Sequence, residues 1–263
     1  MDLRATALIT GASSGIGEAI AEELAARGCT LVLVARREEA LQALATGLRE
    51  RHGIRTEVVV ADLAVPGAAD ALAVEVAGRG LVVDVLVNNA GLGDFSAFAD
   101  ADPAKLETMV QLNVGALTAL TRALLPGMLA RGHGTVLNVA STAAFLPGPL
   151  MAVYYASKAY VLSLSEALAE EVRGSGVRVS VLCPGPVATG FQDAAALHRS
   201  QLLEGGTQVM DAATVATAAV RGVERGTVRI VPGAVNKVTT VLPRLVPRSL
   251  VPRIMKRVQA PVD

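Results

Sequence analysis

The stretch Ala5-Thr6-Ala7-Leu8-Ile9-Thr10-Gly11-Ala12-Ser13-Ser14-Gly15-Ile16-Gly17 decides the fold. Ala5–Thr10 is a short apolar run of strand length, and a helical pattern opens directly after the glycines, at Glu18. Gly11 and Gly15 let the backbone turn tightly, while Gly17 lets helix and strand approach with no Cβ between them. The free N–H groups and positive dipole end of such a helix then face an anion of the pyrophosphate kind.

Further along, the same alternation repeats. Apolar strand candidates lie at Thr30–Ala35, Glu57–Ala61, Val82–Val87, Thr135–Ala140, Val177–Leu182 and Val228–Val231. Ala-, Glu- and Leu-rich helical stretches separate them, among them Glu38–Arg51, Pro103–Arg131 and Met151–Arg173. Strand–helix alternation predicts an α/β fold, a Rossmann-like doubly wound parallel sheet of about seven strands with helices on both faces. No linker or repeat interrupts it, so residues 1–236 are expected to form one catalytic domain and residues 237–263 a basic amphipathic tail.

Composition agrees with this class. The 263 residues are 52% hydrophobic but only 3% aromatic, a filling of Ala, Val and Leu that suits buried parallel strands. Lys and Arg (24) balance Asp and Glu (24), which leaves no electrostatic footprint for nucleic acid. No run of 18 apolar residues is free of charge, which argues against a spanning helix. No signal-peptide layout precedes the first strand. Cys29 and Cys183 sit in apolar runs and read as core fillers of a reduced, cytoplasmic protein. No His/Cys cluster has metal-ligand spacing, and His52, His133 and His198 are given no chemistry.

The second strand candidate ends Val32-Leu33-Val34-Ala35 and continues into Arg36-Arg37, with no carboxylate before Glu38. An acid there would grip both ribose hydroxyls and repel a 2′-phosphate; arginines favour the phosphate, hence NADP(H) over NAD(H). A charged hydrogen bond contributes on the order of 1.5–3 kcal/mol, enough for a tenfold preference. Alternatively, the pair begins a solvated helix face beside Glu38 and Glu39.

Tyr154 and Lys158 stand four apart at the start of a helical stretch and share a face. Tyr155, three before Lys158, is also within reach of it. A phenol with a pKa near ~10 exchanges protons poorly at neutral pH, and an adjacent ammonium is expected to lower it. Ser141 lies just past a strand end, and Asn113 lies inside the long helix.

In this order — Thr10–Gly17 spaced G-x-x-x-G-x-G, Asp62-Leu63, Asn88-Asn89-Ala90-Gly91, Asn113, Ser141, Tyr154/Lys158, and Pro184-Gly185 leading to Thr189 — the sequence resembles the short-chain dehydrogenases/reductases. The resemblance runs from about residue 5 to 232. It implies a nicotinamide cofactor and hydride transfer between NADP(H) and a carbonyl or alcohol. It assigns catalysis to Asn113, Ser141, Tyr154 and Lys158, and selects Tyr154 over Tyr155. Cofactor contacts fall to Gly11, Ser13, Ser14, Gly15, Ile16, Gly17, Arg36, Arg37, Asp62, Leu63, Asn89, Ala90, Gly91, Tyr154, Lys158, Pro184, Gly185, Val187 and Thr189. In that pattern Asp62 meets the adenine, Lys158 the nicotinamide ribose, and Asn113 a water near the lysine. A non-catalytic NADP(H) sensor and a nucleotide-sugar epimerase or dehydratase are the alternatives.

By position, Leu92, Phe95, Phe145, Leu146, Pro186 and Phe191 are expected to line the substrate end, which implies a hydrophobic ketone, aldehyde or acyl chain. Small residues at Ala152, Ala156, Ala159 and Ser163 form a stripe that faces either the protein's own sheet or a second subunit, in a homodimer or homotetramer. The tail holds six basic residues between Lys237 and Arg257 and no acid there, with Pro243, Pro247 and Pro252 forbidding one continuous helix. It either folds over the substrate cleft or a partner subunit, or rests a basic, apolar face on an anionic membrane.

Overall fold

The computed structural model describes residues 5–196, 200 and 209–260; His198 lies outside the described residues. Seven strands, β1 (Thr6–Thr10), β2 (Thr30–Ala35), β3 (Thr56–Val60), β4 (Val85–Asn88), β5 (Gly134–Val139), β6 (Val177–Leu182) and β7 (Arg229–Ile230), form one sheet. Its order is β3-β2-β1-β4-β5-β6-β7, with every pair parallel. The order reverses between β1 and β4, and a crevice opens there at the carboxyl ends of the strands.

Side chains alternate along the strands and so divide the core into two layers. Ala7 and Ile9 of β1, Leu31 and Leu33 of β2, and Val85 and Val87 of β4 face one layer. Helices α1 (Gly15–Ala25), α2 (Glu38–His52) and, past β6, α8 (Ala212–Glu224) cover it with Ile20, Leu41, Val215 and their neighbours. Leu8, Val32, Val34 and Leu86 face the other layer, under α3 (Ala68–Gly78), α5 (Leu117–Arg131) and α6 (Ala152–Glu171). Helix α4 (Pro103–Val110) leads into α5, and a single turn, α7 (Phe191–Ala194), precedes α8. After β7 come α9 (Ala234–Val241) and α10 (Val251–Val258).

Several boundaries differ from the sequence reading. Helix α1 starts at Gly15 rather than Glu18, because its own first turn is the glycine motif. The fourth strand is Val85–Asn88 instead of Val82–Val87; Val82 is half exposed, so hydrophobicity there did not mean pairing. The last strand is only Arg229–Ile230. Pro103–Arg131 is not one regular helix, since Gln111–Ala116 is wound as a π-helix between α4 and α5. Residues 236 and 237 lie inside α9, so the expected boundary between domain and tail cuts a helix that starts at Ala234.

The run Pro103–Arg131 is long and apolar enough to cross a membrane by length and composition. In the fold it packs against the sheet, with Asn113, Ala116, Leu120 and Met128 buried. Ala152, Ala156 and Ser163 of α6 point outward, so the small-residue stripe does not face the protein's own sheet. Both cysteines are free and fully buried, and burial pushes the Cys183 thiol up to about 12.

Candidate active site

The glycine turn is held by a second element. Gly11 and Gly15 take φ of +65° and +62°, the left-handed region where a Cβ is strained. Asn89, just past β4, donates from Nδ2 to the carbonyls of Thr10 (3.0 Å) and Gly11 (3.1 Å). Thr10 Oγ1 in turn accepts from the backbone N–H groups of Asn89 (3.0 Å) and Ala90 (3.1 Å). A Cβ on Gly11 would stand 2.8 Å from Asn89 Nδ2, and one on Gly17 would overlap both Asn89 Nδ2 and the Gly11 carbonyl. Gly17 therefore serves the approach of α1 to the strand ends and does not line the cleft.

Ser14 precedes α1 in an extended conformation and makes no side-chain cap, so the helix's first N–H groups are free of that partner. They open into a cleft of about 930 Å³. Its polar end is lined by Ser13, Ser14, Gly15, Ile16, Arg36, Arg37, Asp62, Leu63 and Asn89–Gly91. Thr189 closes the turn from above, 2.9 Å from where a Gly15 Cβ would be, and Pro184, Gly185 and Val187 carry the wall toward it. Arg37 reaches back across the turn to Ser13, its Nη2 3.1 Å from both the Ser13 carbonyl and hydroxyl. Asp62 is exposed and accepts from Ala64 N–H at 3.0 Å, which fixes its carboxylate at the rim. An elongated dianionic nucleotide fits this lining: donors at the helix end, guanidinium groups at one extremity, and glycine where backbone must come close.

Midway along the cleft sit Ser141, Tyr154 and Lys158. Ser141 lies two residues past β5 in an extended conformation, and its Oγ accepts from Ala143 N–H at 3.1 Å. The hydroxyl also donates to the Pro184 carbonyl at 3.4 Å. Lys158, one turn further along α6, donates from Nζ to the Val139 carbonyl at 2.9 Å and lies 5.8 Å from the Tyr154 ring centroid. Burial pushes Lys158 down to about 8. Burial also raises Tyr154, to about 12, with the nearby Ser141 hydroxyl acting the other way. The lowering of Tyr154 expected from the adjacent ammonium is thus overturned: desolvation of the phenolate outweighs it, and the same desolvation disfavours the lysine's own charge.

Asn113 does not reach the cleft. It is buried in the π-helical turn, where Oδ1 accepts from Leu92 N–H (2.8 Å) and Nδ2 donates to the Leu92 carbonyl (2.9 Å) and Ser157 Oγ (3.0 Å). Ser157 Oγ donates to the Tyr154 carbonyl at 2.7 Å. Asn113 therefore positions the Asn89–Leu92 loop and the helix of Tyr154 relative to each other. The wider π turn is what brings its side chain to both.

Tyr155 also lines the cleft, but its hydroxyl is engaged by the tail. Its ring packs over Gly148, and its hydroxyl accepts from Gln259 Nε2 just past α10. Burial raises it well above an ordinary phenol. This contact separates the two tyrosines, which periodicity alone could not do.

The other end of the cleft is apolar. Leu92, Leu146, Pro186 and Phe191 line it as expected. Phe95 and Phe145 do not: Phe95 is buried behind Met151 and Tyr155, and Phe145 packs with Val161 and Cys183 beneath an Arg229 guanidinium. The sequence reading had the tail over the cleft as one of its alternatives but named neither Met151 nor the residues that α9 and α10 contribute, which are Val235, Thr239, Met255 and Val258. Val251 and Met255 enter the same cluster as Tyr155 and Phe95, so the tail folds over the substrate end. Of the histidines, His52 pairs with Glu22 and His133 with Asp84, both on the surface away from the cleft. Among the described residues no cluster could hold a metal ion.

The short chain dehydrogenase family model matches residues 5–199. A very-long-chain 3-oxoacyl-CoA reductase of Anas platyrhynchos is 38% identical over 194 residues, 71% of this chain and 61% of that protein. A human protein named inactive hydroxysteroid dehydrogenase-like protein 1 is 35% identical over 189 residues, 70% of this chain and 56% of that one. The chain spans about three fifths of the length of the curated relatives it matches. Among solved structures, a short-chain dehydrogenase from Sphingobium yanoikuyae in complex with NADPH superposes with a TM-score of 0.81 at 35% identity, covering 88% of each chain. The family match covers strands β1 to β6, the glycine turn and the Ser141, Tyr154 and Lys158 group together, and by that extent this chain belongs to the short-chain dehydrogenase family.

Proposed function

We propose that the protein is an NADP(H)-dependent oxidoreductase that interconverts a carbonyl and an alcohol on a hydrophobic substrate. The observation that carries this reading is the convergence of Ser141, Tyr154 and Lys158 on the one cleft that the glycine turn, Arg36 and Arg37 also line. NADPH lying along the polar end would supply the hydride. Arg36 and Arg37, with Ser13, would take the 2′-phosphate, and Lys158 the nicotinamide ribose. Ser141 Oγ and Tyr154 Oη would then hold the substrate oxygen between them.

A phenol held at about 12 keeps its proton at neutral pH and can give it to an oxygen that is gaining charge. Leu92, Leu146, Met151, Phe191 and the tail's Met255 exclude water from that oxygen and offer contact only to apolar groups. An acyl or other bulky apolar carbonyl matches this end, in keeping with the 3-oxoacyl-CoA reductase name of the Anas relative. The outward stripe of Ala152, Ala156 and Ser163 supports a homo-oligomer formed through α6.

The test is a panel of apolar ketones, aldehydes and 3-oxoacyl thioesters, with NADPH consumption followed for wild type, Tyr154→Phe and Tyr155→Phe. Tyr154→Phe should lose ~10²–10⁴ in rate while retaining NADPH affinity, and Tyr155→Phe should remain active. Equal activity of wild type and Tyr154→Phe would refute the assignment. NADPH binding with no turnover of any substrate would favour a sensor.

A further inference from the structure

The outer surface of the tail is unlike the rest of the molecule. Seven large apolar side chains between residues 235 and 258 are exposed: Val235, Val238, Val241, Leu242, Leu250, Ile254 and Val258. That is seven of the seventeen such exposed side chains among the described residues. Lys237, Arg248, Arg253, Lys256 and Arg257 are exposed among them. None of the five is in an ion pair with a described residue, and no acid lies between Lys237 and Arg257.

Helix α10 shows why this face is left over. Val251, Met255 and Gln259, spaced four apart, are buried toward the cleft, so Arg253, Ile254, Lys256 and Arg257 must face outward. Helix α9 likewise turns Asn236 and Thr240 inward and leaves Lys237, Val238 and Val241 outside. Both helices line the rim of one cleft, so their outer faces flank a single opening.

We infer that α9 and α10 form an interfacial dock for an anionic lipid bilayer, which the protein approaches with the mouth of its cleft. Exposed apolar side chains interleaved with cations that pair with no described acid are what such a surface binds, the first entering the acyl boundary and the second meeting the headgroups. The charge rules against a second copy as the occupant. A two-fold contact sets a patch against itself, and this one would oppose cation to cation with no acid to relieve it. The inference does not depend on the catalytic reading, because vesicle binding is measured without substrate.

The experiment is co-sedimentation of the full chain with vesicles of phosphatidylcholine alone and of phosphatidylcholine with phosphatidylserine. Two variants accompany it: Arg253→Glu/Lys256→Glu/Arg257→Glu, and Val238→Ser/Ile254→Ser. These five positions lie outside the cleft lining; NADPH titration and circular dichroism verify that each variant is folded. Wild type should sediment with the anionic vesicles far more than with the neutral ones. Removing three cations near a charged surface should weaken binding on the order of 100-fold, and reversing them by more. The apolar variant should weaken binding while keeping its salt dependence. Absence of wild-type binding to anionic vesicles, or charge reversal without effect, would overturn the proposal. So would a wild-type dimer in light scattering that the charge variant converts to monomer, since the patch would then be covered by a second copy.

Discussion

Lys158→Met should make the cofactor-free protein more stable at pH 7, while abolishing turnover. Lys158 is only 5% exposed, and burial holds it at about 8 against an ordinary 10.5. Each tenfold change in that equilibrium is worth about 1.4 kcal/mol, so carrying the ammonium inside costs the fold roughly 3 kcal/mol near pH 7. The methionine variant escapes this cost but loses the bond to the Val139 carbonyl, an offset of about 1 kcal/mol. A net gain of about 2 kcal/mol remains, or roughly 4–8 °C in midpoint for a domain of this size. The pH dependence has a definite sign. Between 8 and 10.5 the unfolded lysine binds more protons than the folded one, so wild-type stability rises with pH across that window and the variant's advantage shrinks. By pH 9.5 the remaining charge cost is about 1.4 kcal/mol, close to the lost hydrogen bond, and the two proteins should nearly coincide. Urea denaturation of both at pH 7 and pH 9.5, without nucleotide, measures this directly. A variant less stable than wild type at pH 7, or a difference that does not change with pH, would refute the reasoning.

Arg36→Ala/Arg37→Ala should weaken NADPH binding tenfold or more by fluorescence titration and leave NADH almost unchanged, because on the proposed reading the guanidinium groups would take the 2′-phosphate that NADH lacks; equal losses for both would dismiss that role. Asn113→Ala strips the Leu92 amide and carbonyl of their buried partner and should cost about 2–4 kcal/mol in denaturant unfolding. It should also lower kcat more than it raises KM for NADPH, since it disturbs the placement of Tyr154 through Ser157; a variant with wild-type kcat and reduced stability alone would make Asn113 merely structural.

Much of this was readable in the residues because their conformations are local. Gly11 and Gly15 announced left-handed turns, the apolar runs announced parallel strands, and four-residue spacing brought Tyr154 and Lys158 together. What escaped depends on distance through the fold. Phe95 and Phe145 were expected in the cleft from their position in the chain, yet whether an aromatic lines a cavity or backs it is set by neighbours such as Met151 and Cys183. The direction of the Tyr154 shift required knowing how completely the phenol is desolvated. The choice between the two tyrosines by contact rests on Gln259, 104 residues further on. Nothing near residue 113 signals a π-helical turn either, and the partners Asn113 meets through it, Leu92 and Ser157, lie 21 and 44 residues away in the chain.

The interlock between Thr10 and Asn89 bears on when the nucleotide cradle comes into being. All three glycines lie within the first seventeen residues, but the hydrogen bonds that fix their turn come from a segment 79 residues later. Strand β4 must pair beside β1 before Asn89 can reach the Thr10 and Gly11 carbonyls. On the ribosome, at ~5–20 residues per second, that is a wait of roughly 4–14 s after the motif itself has been made. Throughout that interval the nascent chain holds a nucleotide signature without a nucleotide site. A truncated chain ending before β4 should accordingly show no NADPH affinity, however intact its glycine motif, and nucleotide can stabilise the fold only once half of the sheet has assembled.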